Sequence, residues 1–529
     1  MSGERLTVPG LVRRWADEQP ARDIVVTDDD ALTYGELERR SAALAAHFAD
    51  VGVGKGTRVG VLMTNGTAWP VVAFGASRAG ATVVPLSTFL RPPELAAQLR
   101  TAGVEHLVLQ GEFLGRDYVA DLMAISPELV AGSTLMVAVT PRLRTITLWD
   151  DLGPVLASAP RADLVDALDA SVRPADDLAI VFTSGSRGTP KGVIHTHGGA
   201  LAATAAGLQA RCLTRDDRLY IPMPFFWVGG FGTGLLSALL AGATLLTEAR
   251  PEPARTLPFL ERNRVTLFRG WPDQAAALAR DPGFAAADLS SLRAGSLDAV
   301  MPAEVRAAPG QRAGLLGMTE SFGPYSGYRL DQTLPAGEEG SCGQVFDDVE
   351  VRVIDLDTGE PVAHGQTGEL QLRGPNLMRG ICGRTRAEVF TDDGFYATGD
   401  IGHLDADGFL FLTGRRDDMF KVRGATVYPS EVERALHALP AVRRAFVVDV
   451  AGAGGGAEVA AVVVLADAVD DTSSEVLIDH LAADAKQRLS SFKVPTRWYI
   501  IEGDDVPMTD TGKVDKAGLQ RLFDQGDDV

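Results

Sequence analysis

Thr183-Ser184-Gly185-Ser186-Arg187-Gly188-Thr189-Pro190-Lys191-Gly192 is the stretch from which the fold is read. It follows an apolar run, Leu178-Ala-Ile-Val-Phe182, with the length and composition of a buried strand. Beyond it, Gly199 to Leu208 is rich in alanine and reads as the start of a helix. Gly185, Gly188 and Gly192 let the backbone turn sharply and approach a ligand closely. Hydroxyl and backbone N–H groups supply donors, while Arg187 and Lys191 supply positive charge. A strand, a loop of this kind and a helix form a site for a polyphosphate. The loop is not a Walker A motif, because glycine rather than serine or threonine follows Lys191.

The bulk of the chain fits a multidomain enzyme. Its 529 residues exceed one typical domain, and a 46% hydrophobic share is ample for real cores. A formal net charge of −20 opposes nonspecific binding of nucleic acid and docking on an anionic membrane. Cys212, Cys342 and Cys382 are widely spaced and offer neither a disulfide framework nor metal-ligand spacing, so reducing cytoplasm is expected. The N-terminal residues lack the pattern of a signal peptide. Tyr220 to Thr247 is uncharged and long enough to span a bilayer, yet Pro222, Pro224 and a cluster of glycines argue for a loop followed by a buried helix.

Strand-like runs (Arg58–Met63, Thr82–Leu86) alternate with helical stretches (Glu36–Val51, Pro93–Ala102), the pattern of α/β layers with mostly parallel sheets. Near residue 340 the pattern changes. Val349–Ile354 and Gly368–Arg373 alternate with period two, which predicts half-exposed strands in a small β-barrel-like subdomain. After Gly414 the chain restarts as a small α+β unit. Ser430 is expected to cap a helix there, and Ala445–Val450 and Glu458–Leu465 read as strands. A boundary falls at Arg415 to Asp418.

Further motifs follow the glycine-rich loop in a fixed order: Gly317-Met318-Thr319-Glu320, Gly368–Gly374, Tyr396-Ala-Thr-Gly-Asp400, Gly414–Lys421 and Pro507–Lys513. Together they resemble the adenylate-forming superfamily, which comprises acyl-CoA synthetases, peptide-synthetase adenylation domains and luciferases, most closely the acyl-CoA ligases. The resemblance spans essentially the whole chain. It implies an N-terminal domain (1–414) that binds ATP and acid, a hinge (415–418) and a mobile C-terminal domain (419–529).

What each motif carries follows from the chemistry. Joining a carboxylate to ATP brings anions together, so Mg²⁺ and a ligand for it are needed near the α-phosphate. Glu320 fits that role, and Thr319 can donate to a phosphate oxygen. Alone, the same residues would also suit a helix start. Asp400 could accept from both ribose hydroxyls or simply close a turn; the resemblance implies ribose, with Arg415 as a second contact. The resemblance further implies that Lys513 bridges carboxylate and α-phosphate, that Asp417 is the hinge, and that Gly424 lies along the CoA tunnel.

The acyl pocket departs from the family pattern. Trp227 stands where many relatives have histidine, Leu316 where an aromatic residue stacks near adenine, and Arg187 where threonine is usual. Trp227 and Phe231, with Gly295 opposite, are expected to form a large-walled apolar pocket. His195 and His197 read as packing or capping residues. The expected activity is that of an ATP-dependent carboxylic acid–CoA ligase, acting through an acyl-adenylate on a fatty, aryl or cyclic acid. Alternatives are transfer to an acyl carrier protein, and a silent acyl-nucleotide binding protein. A homodimer is compatible with this reading.

Overall fold

The computed structural model describes residues 7–129, 137–183, 191–308, 310–422, 425–452, 457–466, 474–509 and 514–524. Packing divides the chain into two units. One is Met1–Val351 with Leu372–Tyr396, and the other is Arg352–Gln371 with Ala397–Val529.

The larger unit is built on two mostly parallel sheets. The first has seven strands in the order Gly380–Ile381, Lys191–Thr196, Asp177–Thr183, Thr82–Pro85, Arg58–Leu62, His106–Leu109 and Thr145–Leu148. The second has five, in the order Leu267–Phe268, Arg218–Tyr220, Thr244–Leu246, Asp23–Val26 and Ala31–Thr33. Strands buried on both faces read as unbroken apolar runs, and Thr82–Pro85 and His106–Leu109 are buried at every position. Helices pack against them through apolar side chains such as Leu37 and Leu44. Thr33 and Glu36 form a reciprocal capping box at the start of Tyr34–Asp50, with N–H to oxygen distances of 3.1 and 3.2 Å. One core joins residues of both sheets, among them Val25, Leu245, Val59, Val83 and Val181. Trp69 anchors it, edge-on to Phe225 at 5.4 Å and to Phe231 at 5.1 Å.

The uncharged span from Tyr220 to Thr247 is the expected loop and buried helix, bracketed by the strands Arg218–Tyr220 and Thr244–Leu246. Its helix begins as a π-helix, Gly229–Leu236, and continues as α-helix Ser237–Ala241. Close approach explains the glycines: a Cβ on Gly230 would lie 2.1 Å from the carbonyl oxygen of Pro224. No described helix is long and apolar enough to cross a membrane.

A four-stranded sheet in the order Glu350–Ile354, Gly368–Arg373, Tyr396–Leu404 and Leu410–Arg415 follows. Gly368–Arg373 is buried at five successive positions rather than alternately, because it is a central strand covered on both faces. In the smaller unit, Val442–Ala451 pairs antiparallel with Ala457–Leu465, which pairs parallel with Arg497–Ile500. Helices Pro429–His437 and Ser474–Arg488 cover this sheet through Val432, Leu436 and Leu481. Ser430 is not the N-cap expected from the sequence. Pro429, with its fixed φ and no N–H, takes the first helical position, and the Ser430 hydroxyl donates to the Thr413 carbonyl instead.

Candidate active site

The glycine-rich loop closes an antiparallel hairpin. Thr183 and Lys191 are direct partners at the ends of strands Asp177–Thr183 and Lys191–Thr196. Ser184, Gly185, Ser186, Arg187, Gly188 and Thr189 lie outside the described residues, as do Gly424 and Lys513. The strand Lys191–Thr196 was missed by sequence reasoning, although its β-branched Val193 and Ile194 signal it. Thr196 then caps helix His197–Arg211 by accepting from the Gly199 N–H at 3.1 Å, so the helix starts two residues before the expected point.

Gly317 and Met318 end the short strand Leu316–Met318, and Thr319–Ser321 form a 3₁₀ turn. The turn demands its sequence. A Cβ on Gly317 would lie 2.3 Å from the Gly323 carbonyl oxygen. Phe322 has the left-handed φ of 53°. Thr319 is not a cap; the Ser321 hydroxyl accepts from the Met318 N–H at 3.2 Å. Glu320 is buried, and its Oε1 accepts from the Tyr396 hydroxyl at 3.2 Å while its main-chain carbonyl accepts from the Met378 N–H at 2.8 Å. Beneath the turn, His195 Nε2 donates to the Thr319 carbonyl at 2.8 Å. The ring is fully buried and edge-on to Phe322 at 4.8 Å. Burial pulls its pKa down to about 3, so it is a neutral packing and positioning group. His197 is likewise buried, lowered to about 4, and accepts from the Val8 N–H at 3.3 Å.

A cavity of about 590 Å³ opens beside this turn, lined by Gly317 and Met318 and walled by apolar side chains such as Leu219, Met223, Val228 and Leu267. Gly295 lines it. Trp227 does not; it lines a neighbouring cavity of about 350 Å³, packed against Phe226 at 5.4 Å and Trp271 at 5.5 Å. Phe231 lines neither, because it faces the π-helical stretch's buried side and packs between Trp69 and Phe322. Trp271, which sequence reasoning overlooked, lines both cavities. Asn65 holds the loop between them. Its amide nitrogen donates to the Met223 carbonyl at 3.0 Å and its oxygen accepts from the Phe225 N–H at 2.8 Å. Arg211 and Arg269 also face the larger cavity without local sequence signal.

In the smaller unit, Asp400 and Arg415 are register partners on adjacent strands. Arg415 Nη1 donates to Asp400 Oδ1 at 2.6 Å, and the Asp400 carboxylate is nearly buried. Gly399 sits at a φ of +74°, and a Cβ there would lie 3.3 Å from the Arg415 guanidinium. Only glycine combines that backbone with that neighbour at no cost. Asp417 lies exposed in the 3₁₀ turn Arg416–Asp418, which is tied on either side by Arg416 to Glu369 at 3.1 Å and Lys516 to Asp418 at 2.9 Å.

Comparison with known proteins places the chain in one family. The model of the AMP-binding enzyme matches residues 12–382, and that of the AMP-binding enzyme C-terminal domain matches 431–513. The chain is 33% identical over 500 residues to a feruloyl-CoA synthase of Amycolatopsis sp, covering 93% of this chain and 94% of that one. It is 32% identical over 532 residues to a (methyl-dioxo-octahydroindenyl)propanoyl:CoA ligase of Mycobacterium tuberculosis, covering 99% and 100%. Its fold matches the crystal structure of the anthranilate CoA ligase AuaEII in complex with anthranoyl-AMP, with a TM-score of 0.81 at 23% identity over 98% and 97% of the two chains. With its motifs in order and its relatives aligned end to end, the chain belongs to the AMP-binding enzyme family, as an AMP-forming acid–CoA ligase that uses ATP and CoA.

Proposed function

We propose that this ligase activates an aryl or ring-bearing carboxylic acid bound in the 590 Å³ cavity beside Gly317–Glu320. The observation that carries this is the cavity itself: broad, apolar-walled and continuous with the turn that bears Thr319 and Glu320. Relatives whose names specify ferulate and a fused-ring propanoate support it.

In the first step a carboxylate oxygen attacks the ATP α-phosphorus, and the bond to pyrophosphate breaks. In the second, the CoA sulfur attacks the acyl carbon, the bond to AMP breaks, and the thiol proton passes to solvent. Neither step needs a protein nucleophile; positioning and charge neutralisation suffice. In this reading the hairpin from Thr183 to Lys191 cradles the phosphates, and the Thr319 hydroxyl donates to one of their oxygens. The buried Glu320 carboxylate, which forms no ion pair among the described residues, suits one protein ligand of Mg²⁺, a cation that takes few carboxylates plus phosphate oxygens and there neutralises their charge. Asp400, oriented by Arg415, accepts from the ribose hydroxyls. Lys513 places its cation where charge develops during adenylation, worth on the order of 10²–10³ in rate. Asp417 serves as hinge and Gly424 as the wall of the thiol's path. The cysteine spacing supports a cytoplasmic setting.

A panel of aryl, fused-ring and straight-chain acids, assayed with ATP, Mg²⁺ and CoA for pyrophosphate and thioester, tests the reading. Ring-bearing acids should show the highest kcat/KM. A clear preference for straight-chain acids would contradict it.

A further inference from the structure

Four arginines stand at or near the larger cavity, and two of them are matched by carboxylates. Arg293 pairs with Asp217 at 2.7 Å and Arg312 with Asp298 at 3.3 Å. Arg211 and Arg269 both line the cavity, and neither pairs with a carboxylate among the described residues. Arg211 is only 5% exposed. Its Nη2 donates to the Thr204 carbonyl at 2.8 Å, whereas Nε and Nη1 have no partner. Arg269 Nη2 donates to the Arg211 carbonyl at 2.6 Å, and its Nε has no partner. Buried charge without a counter-charge is costly. That cost appears as guanidinium pKa values pulled down by burial, to about 10 for Arg211 and about 9 for Arg269.

The chain makes room for both groups. A Cβ on Gly207 would lie 2.3 Å from Arg211 Nη1, and one on Gly295, at a φ of +98°, would lie 3.1 Å from Arg269 Nη2. The arginines are also set away from the reacting end. Strand Gly323–Gly327 leaves the Thr319–Glu320 turn, rising roughly 3.3 Å per residue. It leads on to Leu330, whose N–H donates to the Ala210 carbonyl beside Arg211 at 2.9 Å. Gly317 and Met318 line the cavity at the turn, whereas Arg211 follows the Ala210 that bonds Leu330, three residues beyond the end of that strand, and Arg269 is bonded to the Arg211 carbonyl.

We propose that Arg211 and Arg269 form a subsite for a second oxygen acceptor on the acid, a carboxylate or a carbonyl remote from the carboxylate that is activated. Guanidinium N–H groups suit either acceptor, and a carboxylate would also match the charge. This deepens the ring-acid reading above and rests on it. A site built to bond a substrate oxygen rejects an analogue lacking that oxygen far more strongly than an apolar pocket rejects a missing methylene.

The test uses phenylpropanoic acids that differ only at the para position, bearing carboxylate, acetyl or isopropyl, beside straight-chain acids with the same three endings. Pyrophosphate release and thioester formation are read for each. One oxygenated arm should exceed the isopropyl arm in kcat/KM by at least about tenfold, and which arm wins separates an anionic from a neutral acceptor. Arg211→Met and Arg269→Met should shrink that ratio. Equal or better turnover of the isopropyl arm by the unaltered enzyme would overturn the proposal, and that comparison needs no variant to fold. Equal losses on all three arms in the Met variants would also overturn it, because the arginines would then serve the activated carboxylate. Turnover confined to straight-chain acids would sink the ring-acid reading instead, and the three endings on those acids would then decide the subsite.

Discussion

His195 lies buried against the turn that carries Thr319 and Glu320. Its Nε2–H holds the Thr319 carbonyl, and so the turn that carries Glu320. Removing that donor in His195→Leu leaves a carbonyl unpaired in a buried setting and should cost about 1–3 kcal/mol of stability. The pH dependence has a definite sign. The folded pKa of about 3 lies below the ordinary 6.5, so the unfolded chain binds more protons between those values. The stabilisation is complete above about pH 6.5 and declines as pH falls toward about 3. The melting temperature of His195→Leu should therefore fall less steeply with acidification than that of the unaltered enzyme; parallel profiles would contradict the assignment. Lys513 is tested by separating the half-reactions. Lys513→Ala should abolish pyrophosphate release yet still convert supplied acyl-AMP to acyl-CoA, and equal loss in both would exclude its role. At this scale local motifs fold as local features: Thr319 and Glu320 share one turn, and Asp400 and Arg415 pair across adjacent strands. Arg211, Arg269 and Trp271 meet around one cavity only in three dimensions, as Asn65 meets the Met223–Phe225 loop, and nothing near them in sequence announces those meetings.

Elements were legible where burial imposes a pattern. Asp177–Thr183, Arg58–Leu62 and Thr82–Pro85 fall within a residue or two of the apolar runs that predict them, because strands buried on both faces tolerate little else. Two departures from the expected elements have physical reasons. Lys191–Thr196 follows the glycine-rich loop without a break in composition, so a strand hides between loop and helix. The helix expected after the loop starts as a π-helix, Gly229–Leu236, whose wider turn departs from the 3.6-residue period, and Gly230 approaches Pro224 closely at its start. The same geometry turns Phe231 into the core and leaves Trp227 on the smaller cavity. Substrate size should thus be set by Trp271, which borders both cavities. Trp271→Ala should shift kcat/KM toward larger acids by about tenfold, the scale of a few methylenes in an apolar pocket. Trp227→Ala should shift it less. The reverse order, read from the same acid series, would return Trp227 to the acyl pocket.

At the scale of the whole molecule, one active site must hold pyrophosphate in the first step and admit a thiol in the second. A moving domain reconciles those demands. Asp417, in the turn Arg416–Asp418, is the proposed pivot. Proline there fixes φ near −65°. Asp417→Pro should keep adenylation and lose thioester formation, and full thioester turnover would remove the pivot. The layered α/β architecture and the family were legible from motif order across the chain, whereas cavity shape arises from contacts between segments far apart in sequence. The acid is activated as an adenylate before it meets CoA. Following carboxylate oxygen tests it most directly. With a ring-bearing acid labelled with ¹⁸O in its carboxylate, attack on the α-phosphorus must leave one labelled oxygen in the AMP released when thioester forms. Mass spectrometry should find that label in AMP and none in pyrophosphate; label in inorganic phosphate, with ADP as the nucleotide product, would contradict the account.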